Sequence, residues 1–106
     1  MQFEIRGQKV SLTPEIIDRA ERRVRFALTR FAPRLRSVTV RIDDVNGSRG
    51  GEEKRCRVVV CLNPAGELRV EDTAANVEMA IDRAADRAQR SVARAVERER
   101  RARGAA

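Results

Sequence analysis

Six arginines recur at helical spacing near the end of this 106-residue chain: Arg83, Arg87, Arg90, Arg94, Arg98 and Arg101. They are separated by four, three, four, four and three residues. At about 3.6 residues per turn, such a series lines one face of an α-helix. A row of guanidinium groups does one kind of chemistry well, which is to hold phosphate oxygens through charge-assisted hydrogen bonds. A second series, Val77, Ile81, Ala84, Ala88, Val92 and Ala95, runs along roughly the opposite side. The stretch from Asn76 to Arg103 therefore reads as one amphipathic helix, with a narrow dry face of small residues and a wet face that is largely guanidinium. Asp86 with Arg90, and Glu97 with Arg101, stand at i,i+4 in the favourable order, each pair adding roughly 0.2–0.5 kcal/mol. Such a face is either a solvated surface in an arginine-rich chain or a rod that lies along a phosphate backbone.

Other reactive chemistry finds little support. General acid–base catalysis commonly uses histidine, and the chain has none. Asp43-Asp44 and Glu52-Glu53 are sequence neighbours whose carboxylates need not converge, and they read as solvated strand ends and loop. Cys56 and Cys61 are five residues apart on one strand, hence on opposite faces, and are expected to be free thiols that neither bridge nor share a metal. Zinc would need further ligands. The glycine-rich run Asn46-Gly47-Ser48-Arg49-Gly50-Gly51 reads as a hairpin loop. It lacks the Lys-Ser/Thr and following helix of a phosphate-binding P-loop. No serine or cysteine lies in a nucleophile motif. The expectation is a protein that is not an enzyme and uses no metal, cofactor or small-molecule substrate.

Composition points the same way. Arg and Lys number 23 against 16 Asp and Glu, a net charge of +7, and only Lys9 and Lys54 are lysines. That balance favours a polyanionic partner. Hydrophobic residues make up 42% of the chain, enough for the modest core of one domain. No apolar run approaches the roughly 20 residues that cross a bilayer, and Met1–Gly7 carries no apolar block of a signal peptide. A soluble, cytoplasmic protein with no membrane partner is expected.

These residues need elements to position them. Phe3 and Ile5 alternate in a short first strand, and Val10 and Leu12 continue an apolar pattern. Thr13-Pro14-Glu15 starts a helix, with Thr13 as N-cap and Pro14 in the first turn. Its apolar stripe is Ile16, Ile17, Ala20, Val24, Ala27, Leu28 and Phe31, and Pro33 stops it near Phe31. Arg19, Arg22, Arg23 and Arg30 occupy its other side. Phe26 falls among them, and a rim residue folded back on the core is preferred there over a ring exposed to stack on a base. Ser37–Asp43 alternates with Val38, Val40 and Ile42 inward. Arg55–Leu62 follows with Cys56, Val58, Val60 and Leu62 on one face, leaving Val59 and Cys61 outside. Asn63-Pro64-Ala65-Gly66 turns the chain into a last strand marked by Leu68 and Val70, and Thr73 or Asn76 caps the long helix.

The expected architecture is α+β, in the order β-α-β-β-β-α: a four-stranded sheet with two helices packed on one face. Two amphipathic helices on one face direct their polar sides the same way. Arg19, Arg22, Arg23 and Arg30 then join the arginines of the long helix, Arg83, Arg87, Arg90, Arg94, Arg98 and Arg101, in one basic platform. The apolar stripe fades after Val96, so the domain is expected to span residues 1–100, with a disordered basic tail over 101–106 and fraying from about Glu99.

Three segments resemble a known family. Met1-Gln2-Phe3-Glu4-Ile5-Arg6-Gly7, with Val10 and Leu12-Thr13-Pro14, looks like the start of the ribosome hibernation-promoting factors. These are also known as ribosome-associated inhibitors or sigma-54 modulation proteins. Ala80-Ile81-Asp82-Arg83-Ala84-Ala85-Asp86-Arg87-Ala88-Gln89-Arg90 is similar to their second-helix signature, and Leu62-Asn63-Pro64-Ala65-Gly66-Glu67-Leu68 fits their strand and turn. The resemblance covers roughly residues 1 to 100. It implies the same element order, related to double-stranded-RNA-binding domains. It also implies binding to rRNA of the small ribosomal subunit, in the channel used by mRNA and tRNA, silencing translation under stress or in stationary phase. By position the rRNA-binding role carries over to Arg23, Arg87, Arg90 and Arg94, while Arg22, Arg30, Arg83 and Arg98 come from the platform. Two positions depart from the family's pattern: Asn76-Val77-Glu78-Met79 stands where Asp-Met/Leu-Tyr is usual, and Phe26 where a basic residue is frequent. The chain resembles the short type, without an added C-terminal domain, and is expected to be a monomer away from the ribosome. The competing expectation is a protein–protein interaction module that uses the exposed sheet face.

Overall fold

A computed structural model describes residues 1–8, 11–46, 52–64 and 66–104. Strand β1 (Gln2–Gln8) leads to helix α1 (Pro14–Leu28) and a 3-10 turn over Thr29–Arg34. Strands β2 (Leu35–Asn46), β3 (Glu52–Leu62) and β4 (Gly66–Ala74) follow, then helix α2 (Val77–Gly104). The sheet order is β1-β2-β3-β4. β2–β3 and β3–β4 are antiparallel neighbours, whereas β1 lies parallel to β2, with Phe3 opposite Val38 and Ile5 opposite Val40. A parallel pair needs a crossover, and α1 supplies it.

One core joins sheet and helices. Val38, Val40, Ile42, Cys56, Val58, Val60 and Leu62 point to the covered face and are buried with Ala20, Val24 and Leu28 of α1 and Ile81, Ala84, Ala88 and Val92 of α2. The small side chains of Ala80, Ala84, Ala85 and Ala88 are fully buried, which lets α2 lie close against its neighbours. The expected one-sided α+β arrangement is the observed one. Gly66 has φ +93, a left-handed backbone that suits glycine at the β3–β4 turn.

Helix caps follow local chemistry. The Ile16 amide donates to Thr13 Oγ1 at 3.2 Å, and Pro14 occupies the first turn of α1. The Met79 amide donates to Asn76 Oδ1 at 2.8 Å, so Asn76 rather than Thr73 caps α2. The α-helical part of α1 ends at Leu28, and the chain tightens into a 3-10 turn that accommodates Pro33 and still buries Phe31. Ile17, expected in the α1 stripe, is 38% exposed.

α2 continues through Gly104, so residues 101–104 are helical where a disordered tail was expected. Two features account for the longer helix. Val96 is buried, and Glu99 is clasped by Arg34 at 2.6 Å and by Arg103 at 2.5 Å. Residues 105 and 106, residues 47–51 of the glycine-rich loop, and Val10 of the first apolar pattern lie outside the described residues.

Candidate nucleic-acid interface

α1 and α2 pack side by side, and a line of ion pairs closes the seam between them. Arg19 meets Asp82 at 3.3 Å, while Arg23 reaches Asp82 at 3.4 Å and Asp86 at 2.6 Å. Asp82 and Asp86 are one helical turn apart, so they face α1 together. This settles Asp86 differently from the expected local pair: its carboxylate turns to Arg23 across the seam and not to Arg90 along its own helix. Arg23 is thus a clamp between helices as well as a basic group, and it is only 28% exposed. Arg22 pairs with Asp18 at 2.7 Å on the open surface, where such pairs contribute little.

The other flank of α2 is tied to β4. Arg83 donates to the Thr73 carbonyl at 3.0 Å, and Arg87 donates to Asp72 at 2.9 Å. The Arg87 hydrogen bond is the chief reason that the Asp72 carboxyl is held below its ordinary value, against a desolvation that pushes it up. The arginine row therefore divides. Its first two members, Arg83 and Arg87, are engaged with the protein. Arg90, Arg94 and Arg98 are exposed and have no ion pair or hydrogen-bond partner for their guanidiniums among the described residues. Arg101 returns to Glu97 at 3.5 Å, the expected i,i+4 pair.

Beyond the free row, the 3-10 turn and the last turns of α2 enclose a cleft of about 460 Å³ whose walls include Arg30, Arg34 and Arg100 over Phe31 and Val96. The Arg30 guanidinium lies over the Phe31 ring, 4.7 Å from its centre, leaving the charge at the surface. The fold brings all eight sequence-selected arginines to the helical side. It leaves Arg90, Arg94 and Arg98 without partners and gives Arg22, Arg23, Arg30, Arg83 and Arg87 internal ones.

Phe26 overturns the preferred expectation for it. The ring is 79% exposed on α1 and is not folded onto the core. It stands on the outward side of the helix, three and four residues from Arg23 and Arg22.

The opposite, uncovered face of the sheet has a different character. Asp43 was expected to be a solvated strand-end residue, yet it is 8% exposed and held by both arms of Arg55, at 3.0 and 2.6 Å. Cross-strand register explains this, because Asp43 and Arg55 are direct partners on adjacent strands. Arg55 chiefly, with Arg57 and Arg41, holds the Asp43 carboxyl below its ordinary value. Glu71 lies 3.7 and 3.8 Å from Arg55 and Arg57, whereas Asp44 and Lys54, which alternate to the covered side, pair with each other at 2.7 Å. Cys56 and Cys61 are free and on opposite faces, and burial pushes the Cys56 thiol up to about 12. Among the described residues, no group of His, Cys, Asp or Glu is placed to hold a metal ion, and no helix is long and apolar enough to cross a membrane.

The comparisons with known proteins bear on the family and the fold. The family described as Sigma 54 modulation protein / S30EA ribosomal protein matches residues 3–100. The crystal structure of the Thermus thermophilus Protein Y N-terminal domain superposes with a TM-score of 0.68 at 25% identity, covering 89% of this chain and 98% of that one. The structure of a ribosomal subunit interface protein from Coxiella burnetii superposes with a TM-score of 0.73 at 12% identity, covering 89% and 96%. No curated protein matches the chain significantly.

Proposed function

The chain belongs to the Sigma 54 modulation protein / S30EA ribosomal protein family, and from that premise we propose that it is a ribosome-associated inhibitor of translation. In this reading it binds rRNA of the small subunit and occludes the mRNA/tRNA channel under stress or in stationary phase. It works by filling space, so no reacting group is required of it.

The single observation that carries the reading is the row Arg90, Arg94 and Arg98: three exposed guanidiniums on one helical line, none satisfied from within the described residues. Free guanidiniums bring full hydrogen-bonding capacity to phosphate oxygens, and their counterion release makes binding steeply salt-dependent. Arg22, Arg30, Arg83 and Arg87 are partly committed elsewhere but remain exposed, and they extend the contact on either side. Arg23 holds the two helices in register as well as adding charge at the seam.

The test is co-sedimentation with small ribosomal subunits, comparing the wild-type chain with Arg90→Glu/Arg94→Glu/Arg98→Glu. These three changes break no internal pair, so circular dichroism should be unchanged while association and inhibition of in vitro translation are lost. Retained inhibition by this variant would make the outer sheet face the working surface, and a protein–protein interaction module would replace the proposal.

A further inference from the structure

We propose that Phe26 is a stacking platform for one unpaired nucleobase of the bound RNA. This deepens the ribosome reading and rests on it. The chain contains three aromatic residues, no tryptophan and no tyrosine. Phe31 is buried, and Phe3 is half-buried beneath the Arg25 guanidinium, 4.7 Å from its ring centre. Phe26 alone presents its ring to solvent, at 79% exposure.

Its surroundings select the partner. The helical neighbours of Phe26 at three and four residues are Arg22, Arg23, Thr29 and Arg30, none of them apolar. The ring edges a shallow cleft of about 310 Å³ shared with Arg19, Arg22, Arg23 and Asp82. A protein partner recognised through hydrophobic contact needs a contiguous apolar patch, and a lone ring set among arginines is not one. A nucleotide matches both parts of the site: the base offers a flat π-face to the ring, and the attached phosphates lie within reach of the flanking guanidiniums. Stacking requires a base with a free face, which single-stranded loops and bulges present and a continuous duplex does not. The ring therefore adds a contact that depends on base exposure to a surface that otherwise reads only charge.

The absence of tryptophan makes the test direct. In Phe26→Trp, the new indole is the sole tryptophan of the chain. Titrated with small ribosomal subunits, its emission, after subtraction of an identical wild-type titration that removes the ribosomal proteins' own signal, should be quenched, as stacking on a base requires. Phe26→Ala and Phe26→Leu should both weaken binding, by roughly tenfold. Their salt dependence should match wild type, because no phosphate contact is removed. The side chain is exposed, so all three variants should fold as wild type by circular dichroism. Full affinity in Phe26→Leu would overturn the proposal, because bulk without a π-face would then suffice. So would a blue-shifted, unquenched emission from the Phe26→Trp indole, the signature of burial against protein. If wild type binds and Phe26→Ala binds equally well, this inference falls alone; if wild type fails to bind, it falls together with the ribosome reading.

Discussion

The two broad faces of this molecule are both rich in arginine, and they use it differently. On the uncovered sheet face, Arg55 is locked to Asp43, and Arg55 and Arg57 share Glu71. On the helical face, Arg90, Arg94 and Arg98 have no such partner among the described residues. Cross-strand neighbours on a sheet sit close enough to pair directly, so opposite charges in register neutralise one another. Residues on the outward side of a surface helix meet only their own helix. On α2 the acids beside the row, Asp86 and Glu97, have already turned to Arg23 and Arg101. A count of charges would rate the two faces alike; only the partners separate a structural face from one left open for a ligand.

The sharpest way to break that comparison is to remove equal charge from each face. Arg90→Gln/Arg94→Gln/Arg98→Gln should weaken association with small ribosomal subunits by about a hundredfold or more. It should also lower the salt slope by about three phosphate contacts' worth. Arg6→Gln/Arg41→Gln/Arg69→Gln alters net charge identically on the sheet face and should change affinity by less than about threefold. Filter binding across a salt series measures both, and equal losses would mean that only overall charge matters.

Stability should respond in the opposite sense. Arg55→Ala leaves the nearly buried Asp43 carboxylate with only the weaker pull of Arg57 and Arg41 and should cost roughly 3 kcal/mol, measured by urea denaturation. The helical-face triple should cost under about 0.5 kcal/mol, because it removes exposed groups with no partners.

Acid sharpens the contrast further. The folded-state pKa values of Asp43, Asp72 and Glu99 are all lowered, chiefly by hydrogen bonds from Arg55, Arg87 and Arg34 respectively. A lowered folded value means that the unfolded chain takes up protons first as pH falls. The contribution of these groups is therefore whole above the ordinary values of 3.8 for Asp43 and Asp72 and 4.5 for Glu99, and it is lost as pH drops from there through the folded values. Thermal melts from neutral pH down through the carboxylate range should show a shallower acid decline for Arg55→Ala than for wild type. The helical-face triple should follow wild type.

The smallest effects concern single residues. Arg90→Ala should weaken ribosome association by on the order of 1 kcal/mol, as expected for one phosphate contact at a wet interface. Hydrogen exchange along α2 should show protection as far as the turn held by Glu99 and Arg34, then rapid exchange over residues 100–104. Glu99→Gln should move that boundary toward Val96. Fast exchange in wild type from Val92 onward would show that the clasp does not hold the end of the helix.

Much of the architecture was legible because it rests on periodicity and on local chemistry. The alternation of Val38, Val40 and Ile42, the Thr13-Pro14 helix start and the spacing of the α2 stripe each follow from neighbours in sequence, and so does the family signature around Ala80-Ile81-Asp82. The placement of β1 parallel to β2 was not legible, because strand pairing is decided by contacts between distant segments. The same holds for the partners of the charged residues. Asp86 joins Arg23 over 63 positions, and Glu99 joins Arg34 over 65. Asp43 is buried because β3 sets Arg55 beside it. Phe26 lies in the open on the outward side of α1. From the sequence alone, this chain had to present a basic helix; which of its arginines are left without a carboxylate partner among the described residues was decided when the folded elements met, since only then did each carboxylate acquire its neighbours.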